Sequence, residues 1–169
     1  YGLCLAVLPH LDDPAARAAA LRLLESPSPV VRRSIAASLM DSPRPSDRLV
    51  LETALRRETA PEVLGPLCDS LVAVAGAGAA DAILERARTG ETVAARAAVL
   101  RALETRVFRD KGVRARVTAA LVTVAQAPRL DAEWVAALNA LVYVGDPTTR
   151  RTIAELRDRL SGDLRRQVE

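Results

Sequence analysis

What most limits the folds open to this chain is a spacing. Residues suited to starting helices recur along it: Asp13-Pro14, Ser28-Pro29, Ser46, Thr59, Thr92, Asp131 and Asp146-Pro147. Asp, Ser and Thr side chains accept hydrogen bonds from the open N–H groups of a first helical turn. Pro is tolerated at the first helical position, where the N–H would have no partner. Thr59 and Glu62 have the spacing of a capping box. The marks fall in pairs. First helices are predicted to start near residues 14, 46, 78, 113 and 148, and second helices near 29, 61, 92 and 131. Successive first helices are then 32, 32, 35 and 35 residues apart. A lone helix pair leaves an apolar face uncovered, and a period in the thirties lets the next pair cover it.

Between the marks the apolar residues are spaced for helices. Val31, Ile35 and Leu39 share a face, as do Ile153, Leu156 and Leu160. Gly90, Gly112, Gly145 and Gly162 fall where helices are expected to end in a left-handed residue. Composition agrees. Half of the residues are apolar, yet Trp134, Phe108, Tyr1 and Tyr143 are the only aromatics. Ala, Leu and Val carry the apolar content, which suits close helix packing and not strands, where β-branched and aromatic residues are enriched.

Several helix starts share more than a cap. Asp13-Pro14-Ala15-Ala16-Arg17-Ala18-Ala19-Ala20-Leu21 is followed by Ser28-Pro29-Val30-Val31-Arg32-Arg33-Ser34-Ile35-Ala36-Ala37. Thr92-Val93-Ala94-Ala95-Arg96-Ala97-Ala98 and Asp146-Pro147-Thr148-Thr149-Arg150 are weaker copies. The pattern resembles that of HEAT-type (HEAT/armadillo) helical repeats over essentially the whole chain. That resemblance implies an all-α fold: a right-handed α-solenoid of about four to five stacked helix pairs, with residues 1–169 forming one array. The arginine is expected to reach a neighbouring carboxylate or helix end.

One unit departs from the pattern. Leu64 stands where the arginine belongs, and Gly65-Pro66 interrupts the helix expected from residue 61, so a kink or late start is predicted there. The apolar residues 1–9 lack a basic region and an initiator Met, and read as a helix cut at its start. A segment of a longer array is therefore expected. No apolar stretch has the length of a bilayer span.

The chain offers little for catalysis. His10 is its single histidine and reads as a turn residue. Cys4 and Cys68 lie far apart without zinc or redox spacing. They read as buried thiols, for which a reducing, cytoplasmic compartment is preferred. Gly76-Ala77-Gly78 lacks the Gly-Lys of a phosphate loop and reads as a tight inter-helix turn. Asp12-Asp13 and Asp131 with Glu133 sit at helix starts, where the dipole favours carboxylates. No metal, cofactor or catalytic set is assigned, and a non-enzyme is expected.

Charge placement is the more pointed signal. Net charge is +3, with Lys111 the sole lysine. An arginine bias of this kind also follows from a GC-rich, bacterial genome. Residues 86–129 carry ten basic and three acidic residues, a net +7, whereas residues 1–85 carry −3 and residues 130–169 carry −1. Arg101, Arg106, Arg109, Lys111, Arg114 and Arg116 concentrate this charge around one turn, and Arg44, Arg48, Arg150 and Arg151 occupy equivalent turns. Turn 75–79 carries none, so the stripe is broken. Ordinary solvated surface is one reading of these arginines. An edge that seeks an acidic protein segment or a nucleic-acid backbone is the other.

Trp134 is a second candidate. Exposed on the concave face of a solenoid it would anchor a partner. Its shared face with Leu138 and Leu141 favours burial between repeats. The leading functional expectation is a non-catalytic scaffold that binds a protein on the concave face, with nucleic-acid binding along the arginine edge as the alternative. Some HEAT-like families are enzymes or enzyme partners, including alkylpurine DNA glycosylases and phycobilin lyase subunits. Of what a glycosylase needs, this chain offers only Trp134 with Asp131 or Glu133.

Overall fold

A computed structural model describes residues 8–104, 110–126, 132–144, 149–151, 153–155 and 158. Among these the fold is all-α, without a strand. The helices are α1 (Pro14–Arg22), α2 (Pro29–Asp41), α3 (Arg48–Arg57), α4 (Pro61–Ala75), α5 (Ala80–Thr89), α6 (Val93–Glu104), α7 (Lys111–Gln126) and α8 (Ala132–Val144). Short 3-10 turns occupy Leu8–His10, Leu23–Glu25, Pro45–Asp47 and Gly76–Ala79.

Neighbours in sequence pack as pairs, α3 on α4, α5 on α6 and α7 on α8. Across pairs, α2 packs on α4, α4 on α6 and α6 on α8, while α3 packs on α5 and α5 on α7. Ile35 and Leu39 of α2 belong to one apolar core with Leu64, Leu67 and Leu71 of α4, Val99 and Leu103 of α6, and Leu141 of α8. Each leucine so buried contributes roughly 1.5–3 kcal/mol of transfer free energy. Small residues thread the same core: Ala36, Ala95, Ala97, Ala136, Ala137 and Ala140. The buried hydroxyl of Ser70 on α4 donates to the Ala36 carbonyl of α2, which ties two helix backbones together.

Several helix starts follow the local chemistry. The Asp13 carboxylate accepts the Ala16 N–H at 2.7 Å, with Pro14 at the first position of α1. The Thr92 hydroxyl accepts the Ala95 N–H at 3.1 Å at the start of α6. Others are moved by contacts distant in sequence. The capping box of Thr59 and Glu62 does not form. Ala60 occupies the cap position of α4, and the Glu58 carboxylate takes the Thr59 and Ala60 N–H groups at 2.9 and 2.8 Å. The start expected at Ser46 slips to Arg48, behind a 3-10 turn whose Asp47 is engaged by Arg17 of α1.

The glycines also need correction. Gly90 ends α5, but at φ −56°, which any residue adopts. Space is what requires glycine there: a Cβ would come within 2.6 Å of the Arg96 Cγ. Gly112 does not end a helix. It lies in the first turn of α7, which starts early because the Asp110 carboxylate caps the Val113 N–H at 2.8 Å. Among the described glycines only Gly76 has positive φ, 54°, at the turn between α4 and α5. Gly145, Gly162 and the starts at Asp131 and Asp146 lie outside the described residues.

The late start expected at Gly65-Pro66 does not occur. Helix α4 begins at Pro61 and continues through Pro66 to Ala75. Pro66 withholds an N–H from the carbonyl of Glu62, an exposed residue of the first turn, and Gly65 has open space around it. Because a 3-10 turn joins α4 directly to α5, residues Pro61–Thr89 form a helical run of 29 residues, long and apolar enough to cross a membrane. No span was expected from the sequence. The run is nonetheless two helices, and Val63, Leu64, Leu67 and Leu71 are buried within the helical core.

Candidate functional site

The arginine four residues after the helix cap has one geometry at Arg17, Arg32 and Arg96. Arg150, at the same place in the fourth copy, is exposed and makes no such joint among the described residues. Arg17 Nη1 donates to the carbonyl of Leu11 at 3.2 Å, Arg32 Nη1 to that of Ser26 at 2.7 Å, and Arg96 Nη1 to that of Gly90 at 2.6 Å. Each carbonyl lies six residues back, in the turn before the helix. The Nε atoms donate to carboxylates further along the chain: Asp47 at 2.9 Å, Glu58 at 2.7 Å and Glu133 at 2.9 Å. Each guanidinium thus joins its own incoming turn to the start of a later helix. The planar fork of arginine makes both bonds at once, which a lysine does not.

The Glu58 carboxylate accepts from two Arg32 nitrogens and from the Thr59 and Ala60 amides. Burial by itself pushes its pKa up. The hydrogen bond and charge of Arg32, with the Ala60 and Thr59 amides, outweigh that and hold it below the ordinary glutamate value. Its hydrogen bond in turn holds Arg32 above its ordinary value. The pair is bidentate, with Arg32 Nη2 donating to the second carboxylate oxygen at 2.8 Å.

The basic residues picked from the sequence separate into two groups. Arg116 forms an ion pair with Asp81 at 3.3 Å, Arg44 with Asp12 at 3.2 Å, Arg48 with Glu52 at 2.8 Å and Arg151 with Glu155 at 3.0 Å. Arg101 and Lys111 are exposed and Arg114 is half-buried, and none of the three has an ion-pair partner among the described residues. Arg106 and Arg109 lie outside the described residues. Arg150 is exposed and likewise has no ion-pair partner among the described residues, so the uncompensated charge lies at the end of α6, at the start of α7 and at Arg150.

Trp134 is buried, and its indole N–H donates to the Ala125 carbonyl of α7 at 2.8 Å. It joins α7 to α8 and presents no ring to a partner. Glu133 is likewise buried and bound to Arg96, so two of the three residues offered for a glycosylase serve the packing of α8. Asp131 lies outside the described residues. The exposed aromatic on α8 is instead Tyr143, at 68% exposure, with Val142 at 64% and Val135 at 49%. Sequence reasoning missed this strip, although Val135, Asn139 and Val142 have the three- and four-residue steps of a single helix face. Val30 and Met40 are the exposed large apolar residues of α2.

His10 is an exposed turn residue whose carbonyl accepts the Asp13 N–H at 3.0 Å. Cys68 is buried in α4, and Cys4 lies outside the described residues. No three His, Cys, Asp or Glu side chains come together as a metal site among the described residues. The site and fold define an all-helical protein held by inter-helix arginine joints. No protein-family model, curated protein or solved structure matches the chain.

Proposed function

We propose that the chain is a HEAT-like, right-handed α-solenoid acting as a non-catalytic scaffold, with a partner protein bound along α2, α4, α6 and α8. The succession of contacts α2–α4–α6–α8 beside α3–α5–α7, together with the repeated arginine joint, supports the solenoid. Fold does not fix function, so the scaffold reading rests on the surface. One observation carries it: Val135, Val142 and Tyr143 form an exposed apolar strip on a helix whose other side is buried. Exposed Tyr and Val on one helix face, with Asn139 between them, are suited to a contact with a protein.

The test is site-specific photocrosslinking of the full chain in its native cell. A crosslinker at Tyr143 should trap a discrete protein that a crosslinker at Arg88, exposed on α5, does not. Equal capture from both positions, or none from Tyr143, counts against the reading.

The second reading is nucleic-acid binding at Arg101, Lys111 and Arg114, favoured by their having no ion-pair partner among the described residues. It requires that a fluorescent duplex bind at low salt, that added salt abolish binding, and that Lys111→Glu with Arg114→Glu remove it. Binding that survives those substitutions excludes this edge.

A further inference from the structure

Helices α3 and α5 pack together, as do α5 and α7, but α1 has no comparable contact with α3. Arg17 explains one end of this gap. It clamps the start of α1 to Asp47 and to Ser42, just ahead of α3. At the other end α1 tightens into the 3-10 turn Leu23–Glu25 and turns away at Pro27 to enter α2. The result is an open groove of about 820 Å³ between α1 and α3. Leu21 and Leu24 line one wall and Leu49, Val50 and Ala54 the other, with the Arg32–Glu58 pair also lining it. Leu49 is 68% exposed there.

The charges around the groove favour one sign of ligand. Arg32 is neutralised by Glu58. Arg22 ends α1 and Arg57 ends α3; both line the groove, are exposed, and have no ion-pair partner among the described residues. Glu25 is the one other carboxylate on the lining, so the uncompensated charge is positive. An apolar trough with a guanidinium from each wall suits a segment carrying leucine-like side chains and carboxylates together. Arginine pairs with carboxylates bidentately, which fixes register as well as sign.

We propose that the α1–α3 groove is a docking site for an acidic, amphipathic segment of a partner protein. Its apolar residues lie against Leu24, Leu49 and Val50, and its carboxylates pair with Arg22 and Arg57. This site is separate from the strip on α8 and does not rest on it.

The experiment is an NMR titration of the ¹⁵N-labelled full chain with a synthetic helical peptide of leucine, alanine and glutamate. Counterparts carry glutamine or lysine in place of glutamate. The expected shifts fall on residues 21–27 and 49–59. Affinity should drop about tenfold or more with the glutamine peptide, or with Arg22→Glu and Arg57→Glu together. The lysine peptide should bind that double variant better than the original chain. Leu49→Asp, at an exposed position, should also abolish the shifts without altering thermal unfolding. No shift with the glutamate peptide overturns the proposal, as do equal binding of all three peptides, shifts confined to α8, or a single-stranded oligonucleotide outcompeting the peptide. Shifts at α8 with the groove silent would leave the scaffold reading standing and this one refuted.

Discussion

The junction between α2 and α4 and the junction between α4 and α6 meet the same requirement with different residues. At the first, Arg32 caps the carbonyl of Ser26 and grips Glu58 ahead of α4. At the second, the positions 32 residues further on hold Leu64 and Gly90, so both the arginine and its acid are missing. The carbonyl six residues before Leu64 is that of Glu58, and it is not left open. Arg86 of α5 reaches it from the other direction, with Nη2 at 2.5 Å. Gly90 in turn leaves room for the stem of Arg96, whose Nη1 takes the Gly90 carbonyl. What recurs among the described turns, from α1 to α6, is a donor for a carbonyl in the turn before the helix. The arginine at a fixed place in the motif is only the commonest way of supplying it. A buried carbonyl without a donor is costly whichever helix the donor would have come from.

The largest effect should come from breaking the first junction on one side. Glu58→Ala strands Arg32 and opens two amides, and should lose about 3–5 kcal/mol in urea denaturation. Replacing both partners, Arg32→Leu with Glu58→Met, should cost less than Glu58→Ala alone. The second junction lives without a pair at those positions, and that comparison fails if the double variant is the worse of the two.

The second junction should be the next most sensitive. Arg86→Met removes the donor to the Glu58 carbonyl and should cost about 1–3 kcal/mol. Arg88→Met, two residues away and paired only at the surface with Glu85, should cost under about 0.5 kcal/mol. Equal losses at the two arginines would remove Arg86 from the comparison. Gly90→Ala should cost roughly 1–3 kcal/mol, because the added methyl meets the Arg96 stem and not because of φ. Shortening that stem in Arg96→Ala should absorb the penalty in a double-mutant cycle.

The smallest effect is on pH dependence. Glu58 is held below its ordinary value of 4.5 in the folded state, so it binds a proton less readily there than when unfolded. Its stabilising contribution is complete above 4.5 and declines as pH falls through the lower folded-state value. Glu58→Gln should flatten that part of the stability profile, as measured by denaturation across the acid range. A profile unchanged by the substitution would move the acid sensitivity to other carboxylates.

The arginines of the joints were legible because each sits four residues from its own helix start. Their acids were not. Asp47, Glu58 and Glu133 lie 30, 26 and 37 residues from their arginines, separations that follow no single period because the loops differ in length. Trp134 shows the limit on the binding-site side. Its spacing with Leu138 and Leu141 pointed to burial, and the structure buries it. The same helix then exposes Tyr143, four residues from the polar Asn139, a helical step that was present in the sequence and missed. The groove between α1 and α3 was invisible for a different reason: its walls come from residues 21–27 and 49–59, brought together by a clamp at Arg17.

The sequence by itself determined that the chain is helical, and it placed most helix starts within a few residues. Capping and the three- and four-residue apolar steps are interactions within a single turn or two, so they are written locally. Tertiary structure alone decided that Gly90 is small to admit Arg96, that Glu58 and not Thr59 serves the start of α4, and that Arg86 supplies what Leu64 lacks. Those outcomes depend on which buried polar groups face one another once the helices pack, and a buried group takes whatever partner the packing brings to it.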